Sequence, residues 1–362
     1  MYFVGLFLVS FPLTLAVYDS SYQINPLGIS CVSWPDNSYA VTIDASKPST
    51  PNIRESLLRI KDGQGNSLYD GSTLESFPTL LTLSNGNLAI LTNSFGATDG
   101  YPTIQAKIIQ KNGTVTRDTF DVYHGGYNAF TASAHTSGGF IVAWTGPDRK
   151  SFNVSRYEND GNILDSQSKT FPSPLVQIDV AAAVQGRYLV SWLERGSNTT
   201  DTVLTGAVTG VSDVNLDKSK LVIYRAKYDT GITTHGQIYT CTTQTNGDGV
   251  CIYSAFKFTS LNPPISTVDT TIQTFTVDGT LTESVPYTTK SQPTRVFTFT
   301  NGTYGLFSNS DKVLHFFTDQ RVLNSTLTLA TDGFCILSNS TILTISPANE
   351  NRGWDTQIFT SP

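Results

Sequence analysis

Ser137–Leu164 reads SGGFIVAWTGPDRKSFNVSRYENDGNIL. A glycine pair opens a continuous apolar run, FIVAWT, of the length and β-branched or aromatic character of a strand buried on both faces. GPDRK then reverses the chain, SFNVSRY returns, and ENDGN reverses it again. The Asn-Asp-Gly element supplies the φ > 0 position that a tight hairpin needs. Three strands joined by two turns, with a fourth starting at Ile163, make one antiparallel unit.

The last of these turns recurs along the chain. Its counterparts are KDGQGN (Lys61–Asn66), QKNGT (Gln110–Thr114), YDTGI (Tyr228–Ile232), VDGTL (Val277–Leu281) and TDQRV (Thr318–Val322). From Gly63 through Gly113, Gly161, Gly231 and Gly279 to Gln320 the steps are 50, 48, 70, 48 and 41 residues. The apolar run also recurs, as SYAVTID (Ser38–Asp44), NLAILTN (Asn87–Asn93), RYLVSWLE (Arg187–Glu194), GVCIYSAF (Gly249–Phe256), TYGLFSN (Thr303–Asn309) and TILTISP (Thr341–Pro347). A period near this length built from short strands predicts an all-β protein, a β-propeller. Seven runs of the second-strand kind predict seven blades of four antiparallel strands. The last unit ends after its third strand, at WDTQIFTSP, so Val17–Asn25 is expected to supply the missing outer strand and close the ring, leaving no open edge. Proline before several first strands, at Pro26, Pro78, Pro174 and Pro293, fits a strand start. A polar stretch near 196–220 reads as an insertion between the second and third strands of the fourth blade.

The 362 residues carry 14% charged side chains and a formal net charge of −6, without a Lys/Arg cluster, which excludes a nucleic-acid partner. Met1–Ala16 (MYFVGLFLVSFPLTLA) reads as a signal peptide, with Thr14 and Ala16 as the small cleavage-site residues, although it lacks a basic start. Pro12 interrupts it and no later apolar segment follows, so no span is expected after cleavage. The expectation is a monomeric secreted protein with a signal peptide at 1–16 and one propeller domain at 17–362.

Four cysteines allow three pairings. Cys241 and Cys251 flank a hairpin turn, TTQTNGDGV, which favours a cross-strand bridge. Cys31 and Cys335 then remain, near the two ends, where a bridge would fasten the ring. Asn-x-Ser/Thr sequons stand at Asn112, Asn153, Asn198, Asn301, Asn324 and Asn339, with Asn112 in a predicted turn and Asn198 in a polar loop.

Ser137–Leu164 and VQGRYLVSWLE (Val184–Glu194) resemble repeats of secreted microbial propeller-type proteins, which read Gly-aromatic-x-Val-x-Trp, a loop, a short strand and Asp-Gly. The resemblance covers blades two to four, and the later units lack the Trp. It implies a fold and a cell-surface setting, and carries no catalytic residues.

Chemistry is sparser. Propeller glycosidases place paired carboxylates around the central channel, but Asp179, in QIDVAAAV, is the only carboxylate inside a first strand. Ser-x-Asp-x-Gly-x-x-Trp boxes and a Gly-x-Ser-x-Gly elbow are absent. His124, His135, His235 and His315 have no metal-ligand spacing, and no metal or cofactor is expected. Trp144 and Trp192 repeat at one place in successive units and read as packing residues. Binding candidates fall in the long connections: Tyr101 in GATDGYP, His124 and Tyr127 in HGGYN, Arg149 in GPDRK and Trp354 in NENRGW. Aromatic rings beside Asn, Asp and Arg suit sugar stacking. The sequence therefore favours a non-enzymatic binding or adhesion protein recognising an extracellular glycan or protein. A glycoside hydrolase or lyase around Asp179 is the alternative, and a structural wall protein the third reading.

Overall fold

A computed structural model describes residues 23–360, excepting 48–49, 74–77, 96–100, 128, 135–137, 173, 183–187, 196–200, 209–219, 228–233, 244–247, 262–263, 277–279, 290, 300–302, 309, 319–322, 330–332, 338–340 and 348–353. The expected signal peptide lies outside them. The described strands form antiparallel sheets in strict chain order. The first sheet is β1 (Gln23–Ser33), β2 (Tyr39–Lys47), β3 (Thr50–Lys61) and β4 (Ser67–Thr73). The second is β5 (Thr79–Thr82), β6 (Leu88–Phe95), β7 (Pro102–Ile109) and β8 (Val115–His124). The third is β9 (Ala129–Ala134), β10 (Phe140–Thr145), β11 (Ser151–Tyr157) and β12 (Ile163–Thr170). The fourth is β13 (Leu175–Ala182), β14 (Tyr188–Arg195), β15 (Asp201–Val208) and β16 (Lys220–Lys227). The fifth is β17 (Thr234–Thr243), β18 (Gly249–Leu261), β19 (Pro264–Phe275) and β20 (Leu281–Thr289). The sixth is β21 (Arg295–Thr298), β22 (Tyr304–Ser308), β23 (Val313–Phe317) and β24 (Leu323–Thr328). The seventh has three strands, β25 (Gly333–Ile336), β26 (Thr341–Pro347) and β27 (Trp354–Thr360).

Sheets that each run from a first strand outward to a fourth, packed face to face around an axis, make a β-propeller. The second strands explain the packing. β10 is buried at all six positions and β22 at all five, whereas the outer β12 alternates exposed and half-buried residues. Between the second and third sheets lie Leu91, Ile104, Ala106, Phe140, Val142 and Trp144. Between the third and fourth lie Phe152, Val154, Ile178, Val190 and Trp192. Phe307, Phe316, Phe334 and Ile342 join the sixth to the seventh, and Tyr39, Val41, Ile43, Leu337 and Leu343 join the first to the seventh. The last seam carries the Cys31–Cys335 disulfide, 304 residues apart in sequence, and a hydrogen bond from Ser33 Oγ to the Ile336 carbonyl, 2.9 Å. Cys241 and Cys251, directly paired across β17 and β18, form the second disulfide.

Two expectations are corrected. Gln23–Asn25 do not form an outer strand of the last unit: they pair with Ser46–Asp44 as the beginning of β1, before a bulge that contains Pro26. The rest of that expected strand, 17–22, lies outside the described residues. The polar stretch near 196–220 is not wholly an insertion, because Asp201–Val208 is β15, paired to β14 and β16. Its small and β-branched residues give it strand character despite the polar flanks.

One turn geometry serves inner and outer hairpins alike. In the turn at 110–114, Gly113 N–H donates to the Gln110 carbonyl, Gln110 N–H to the Thr114 carbonyl, and Thr114 N–H to Asn112 Oδ1. Asn85 and Asp160 accept in the same way in the turns ending at Asn87 and Asn162. The residue after the side-chain acceptor takes a positive φ: Gly86, Gly113 and Gly161, but also Asn37, Arg149 and Lys312. The pairs Asn85-Gly86, Asn112-Gly113 and Asp160-Gly161 are thus used as turn chemistry.

Candidate functional site

Antiparallel order fixes two faces. The turns between first and second and between third and fourth strands emerge at one end of the sheets. The connections between second and third strands, and from each fourth strand to the next sheet, emerge at the other. Tyr101, His124, Tyr127, Arg149 and the backbone of Trp354 all belong to the second, loop-rich face.

Three of these five come together at the second sheet. Tyr101 precedes β7 and is 56% exposed; His124 closes β8 and is also exposed. Buried Thr103 links them: its Oγ1 lies 2.8 Å from His124 Nδ1 and 3.3 Å from the Tyr101 carbonyl, to which it donates. The chain then turns through Gly125 and Gly126, both at positive φ, and Gly126 N–H donates to the Pro102 carbonyl, 3.2 Å. A Cβ on Gly126 would stand 3.7 Å from the Tyr101 ring. Tyr127 follows but turns inward. Its ring meets Phe130 edge-on at 5.8 Å, its hydroxyl is buried with no hydrogen-bond partner among the described residues, and burial pushes its pKa up to about 12. It is a packing residue of the seam between the second and third sheets.

Arg149 lies one sheet on, exposed in the β10–β11 turn with φ of 59°. Its carbonyl accepts from Leu175 N–H at 2.9 Å, which anchors the start of β13. Trp354 opens β27 opposite Pro347, in the seventh sheet, whereas Tyr101 and His124 flank β7 and β8 of the second.

Asp179 has a different fate. It sits on β13, and Val180 N–H (2.9 Å) and Thr131 Oγ1 (3.3 Å) donate to its Oδ1, while Cys241 N–H (3.0 Å) donates to Oδ2. The carboxylate thus ties together the first strands of three successive sheets. Desolvation pushes its pKa up to about 6, against the lowering effect of those donors. Gln177 continues the same seam, giving Nε2–H to the Tyr239 carbonyl at 2.7 Å, and Thr298 Oγ1 donates to the Thr243 carbonyl at 2.7 Å between the fifth and sixth sheets. Asp179, Gln177 and Thr298 thus form a partial polar collar, hydrogen-bonding first strands across the seams from the third sheet to the sixth.

Sequence reading missed one pair. Tyr287 on β20 and His315 on β23 meet across the seam of the fifth and sixth sheets, with 3.2 Å between hydroxyl and Nδ1. Tyr287 packs edge-on to Phe317, on which Tyr304 stacks. Burial raises the Tyr287 pKa and lowers that of His315, so both are neutral near pH 7. Twenty-eight residues separate the partners, which lie on neighbouring sheets, and no local spacing signals such a meeting.

No family model matches the chain, and no curated protein matches it. Solved structures do. A catalytically inactive virginiamycin B lyase from Staphylococcus aureus, with quinupristin, superposes with a TM-score of 0.55 at 11% identity, covering 99% of this chain and 100% of its own. A polysaccharide lyase of family PL25, an ulvan lyase bound to -[GlcA(1-4)Rha3S]-, gives 0.55 at 11% identity, covering 95% of each chain. Polysaccharide lyase Uly1 gives 0.57 at 10% identity, covering 92% of this chain and 89% of that one. At these identities the likeness carries the β-propeller fold alone.

Proposed function

We propose that this protein is an extracellular enzyme that breaks a polysaccharide by elimination, with its reacting groups on the loop-rich face rather than in the channel. The observation that carries the reading is the exposed His124, pinned by Thr103 beside the exposed Tyr101. Hydrolysis by two carboxylates has no support in the first strands, where Asp179 is held by structural donors. Elimination needs no carboxylate pair. It needs a base for the proton beside a sugar carboxylate, a donor for the leaving oxygen, and positive charge for the carboxylate.

The hydrogen-bond chain suits the first role. In the reactive tautomer Thr103 gives its hydroxyl proton to the Tyr101 carbonyl and its oxygen accepts from His124 Nδ1–H, leaving the proton-accepting lone pair on Nε2. Nε2 takes the proton from the carbon beside the carboxylate; a carbon–carbon double bond forms as the bond to the glycosidic oxygen breaks. The phenol of Tyr101 gives its proton to that oxygen and regains one from solvent. Arg149, on the same face, pairs with the substrate carboxylate in two-pronged fashion. That two of the superposing propellers are named polysaccharide lyases supports this choice over hydrolysis. The apolar start at Met1–Ala16 and the two disulfides fit secretion.

A second reading rests on Tyr101 itself. An exposed ring beside hydrogen-bonding groups is also a sugar-stacking platform, so the same face would serve non-enzymatic glycan recognition.

Incubation with a panel of neutral and uronate-containing polysaccharides tests both. Shorter products bearing an unsaturated end, lost by a factor of about 10² or more in His124→Gln, support elimination. Retention without products, lost in Tyr101→Ala, supports the binding reading.

A further inference from the structure

We infer that the protein carries N-linked glycans on Asn112 and Asn324, at the end of the propeller away from the loop-rich face, and none on Asn153. The inference is independent of the proposed chemistry and rests on Met1–Ala16 acting as a secretory leader.

Asn112 stands at the exposed tip of the β7–β8 turn. Its Oδ1 accepts from Thr114 N–H at 3.0 Å, and the turn is closed independently by the Gln110–Thr114 and Gln110–Gly113 backbone bonds. Glycosylation uses Nδ2 and keeps the carbonyl oxygen, so the side chain holds its turn while carrying a sugar. Thr114, the hydroxyl residue of the sequon, is exposed too. Asn324 is the second residue of β24, the outermost strand of the sixth sheet, and both it and Thr326 are exposed. No strand flanks β24 on its outer side among the described residues.

Asn153 is the opposite case. Its strand is hydrogen-bonded on both sides, with Trp144 and Ser168 as cross-strand neighbours. Phe152 and Val154 beside it are fully buried, and Ser155, its sequon hydroxyl, is 3% exposed. Asn153 is itself half-buried, but its sequon needs the Ser155 hydroxyl as well, and that residue is closed off in the packed interior. Asn198, Asn301 and Asn339 lie outside the described residues.

The modification is a transfer from a lipid-linked diphosphate oligosaccharide. Asn Nδ2 bonds to the anomeric carbon, the bond from that carbon to the diphosphate oxygen breaks, the lipid diphosphate leaves, and one amide proton passes to the transferase. Both acceptors sit at third-to-fourth-strand turns or just after them, so sugars there leave the face of Tyr101, His124 and Arg149 uncovered.

The test is secretion of the full chain from a eukaryotic host, enzymatic deglycosylation in heavy-oxygen water, and peptide mass mapping. Heavy-oxygen aspartate is expected at 112 and 324, with unmodified asparagine at 153. Thr114→Ala removes the first sequon without touching the Asn112 turn, and Asn324→Gln removes the second; each should lower the secreted mass by one glycan. Labelling at Asn153, or an unlabelled Asn112 or Asn324, including a chain that never acquires sugar, overturns the inference.

Discussion

Two aspartates mark the two regions of this propeller that behave most differently. Asp179 belongs to the collar at the axis, Asp36 to the turns at the far end of the first sheet. Asp36 accepts from Lys111 Nζ at 2.6 Å, a residue of the next sheet's outer turn, and from Ser38 Oγ at 2.5 Å. Lys111 also lies over the Trp34 ring, 4.9 Å from its centroid. Those two partners hold the Asp36 pKa down to about 2. Asp179 also has donors, but no cation among those described, and desolvation outweighs them, so its pKa moves the other way, to about 6. The same residue type is thus a strap where water and an ammonium screen it, and a desolvated knot where they do not. The raised pKa of Asp179 thus comes from desolvation, which outweighs the donors that hold both carboxylate oxygens.

The contrast can be broken most severely at the seam. Removing the Cys31–Cys335 bridge, in Cys31→Ser with Cys335→Ser, should lower unfolding free energy by about 5 kcal/mol, because the bridge closes nearly the whole chain. The shorter Cys241–Cys251 bridge, spanning 10 residues, should contribute less, about 2 kcal/mol. Paired urea titrations of the two double variants give the comparison, and equal losses would mean that the first bridge does not fasten the ring.

Asp179→Ala comes next. It strands the Val180 and Cys241 N–H groups and the Thr131 hydroxyl, a loss of about 2 kcal/mol after the relief of a buried charge is counted. The pH dependence sharpens this. A raised carboxyl pKa means that the folded state holds its proton more tightly, so Asp179 stabilises fully below pH 3.8 and that contribution is lost as pH rises through about 6. Over that window it amounts to roughly 3 kcal/mol. Asp36 does the reverse: its contribution is present above pH 3.8 and lost as pH falls toward 2. Urea midpoints from pH 3.5 to 7 should fall with rising pH more steeply in the wild type than in Asp179→Asn. The smallest effect belongs to the rim. Lys111→Met should cost no more than about 1 kcal/mol, since Asp36 is well solvated, and the loss should shrink in high salt.

The strands were legible where burial is simplest. Second strands are enclosed on both faces and read as unbroken apolar runs, so FIVAWT and TILTISP stand within a residue of β10 and β26. Turns were legible where Gly takes the positive φ, as at Gly86, Gly113 and Gly161, and less so where Arg149 and Lys312 take it. β15 was hidden in a polar stretch, and the β18–β19 hairpin extends to Leu261 and Pro264 beyond the apolar GVCIYSAF. Cross-strand ion pairs such as Arg59–Asp70, at 3.0 Å, depend on register, which composition does not carry. At the candidate site, Tyr101 and His124 were found as loop residues of the right chemical type. Thr103, which joins them, is an ordinary strand threonine until the fold brings β7 and β8 together.

The decisive measurement sets the two regions against each other in one assay. Wild type, His124→Gln and Asp179→Asn, each confirmed as folded, are incubated with a uronate-containing polysaccharide, and the unsaturated product is quantified. The account predicts turnover in the wild type, near-complete loss in His124→Gln, and turnover largely kept in Asp179→Asn. Loss in Asp179→Asn with full activity in His124→Gln would contradict it and return the chemistry to the channel.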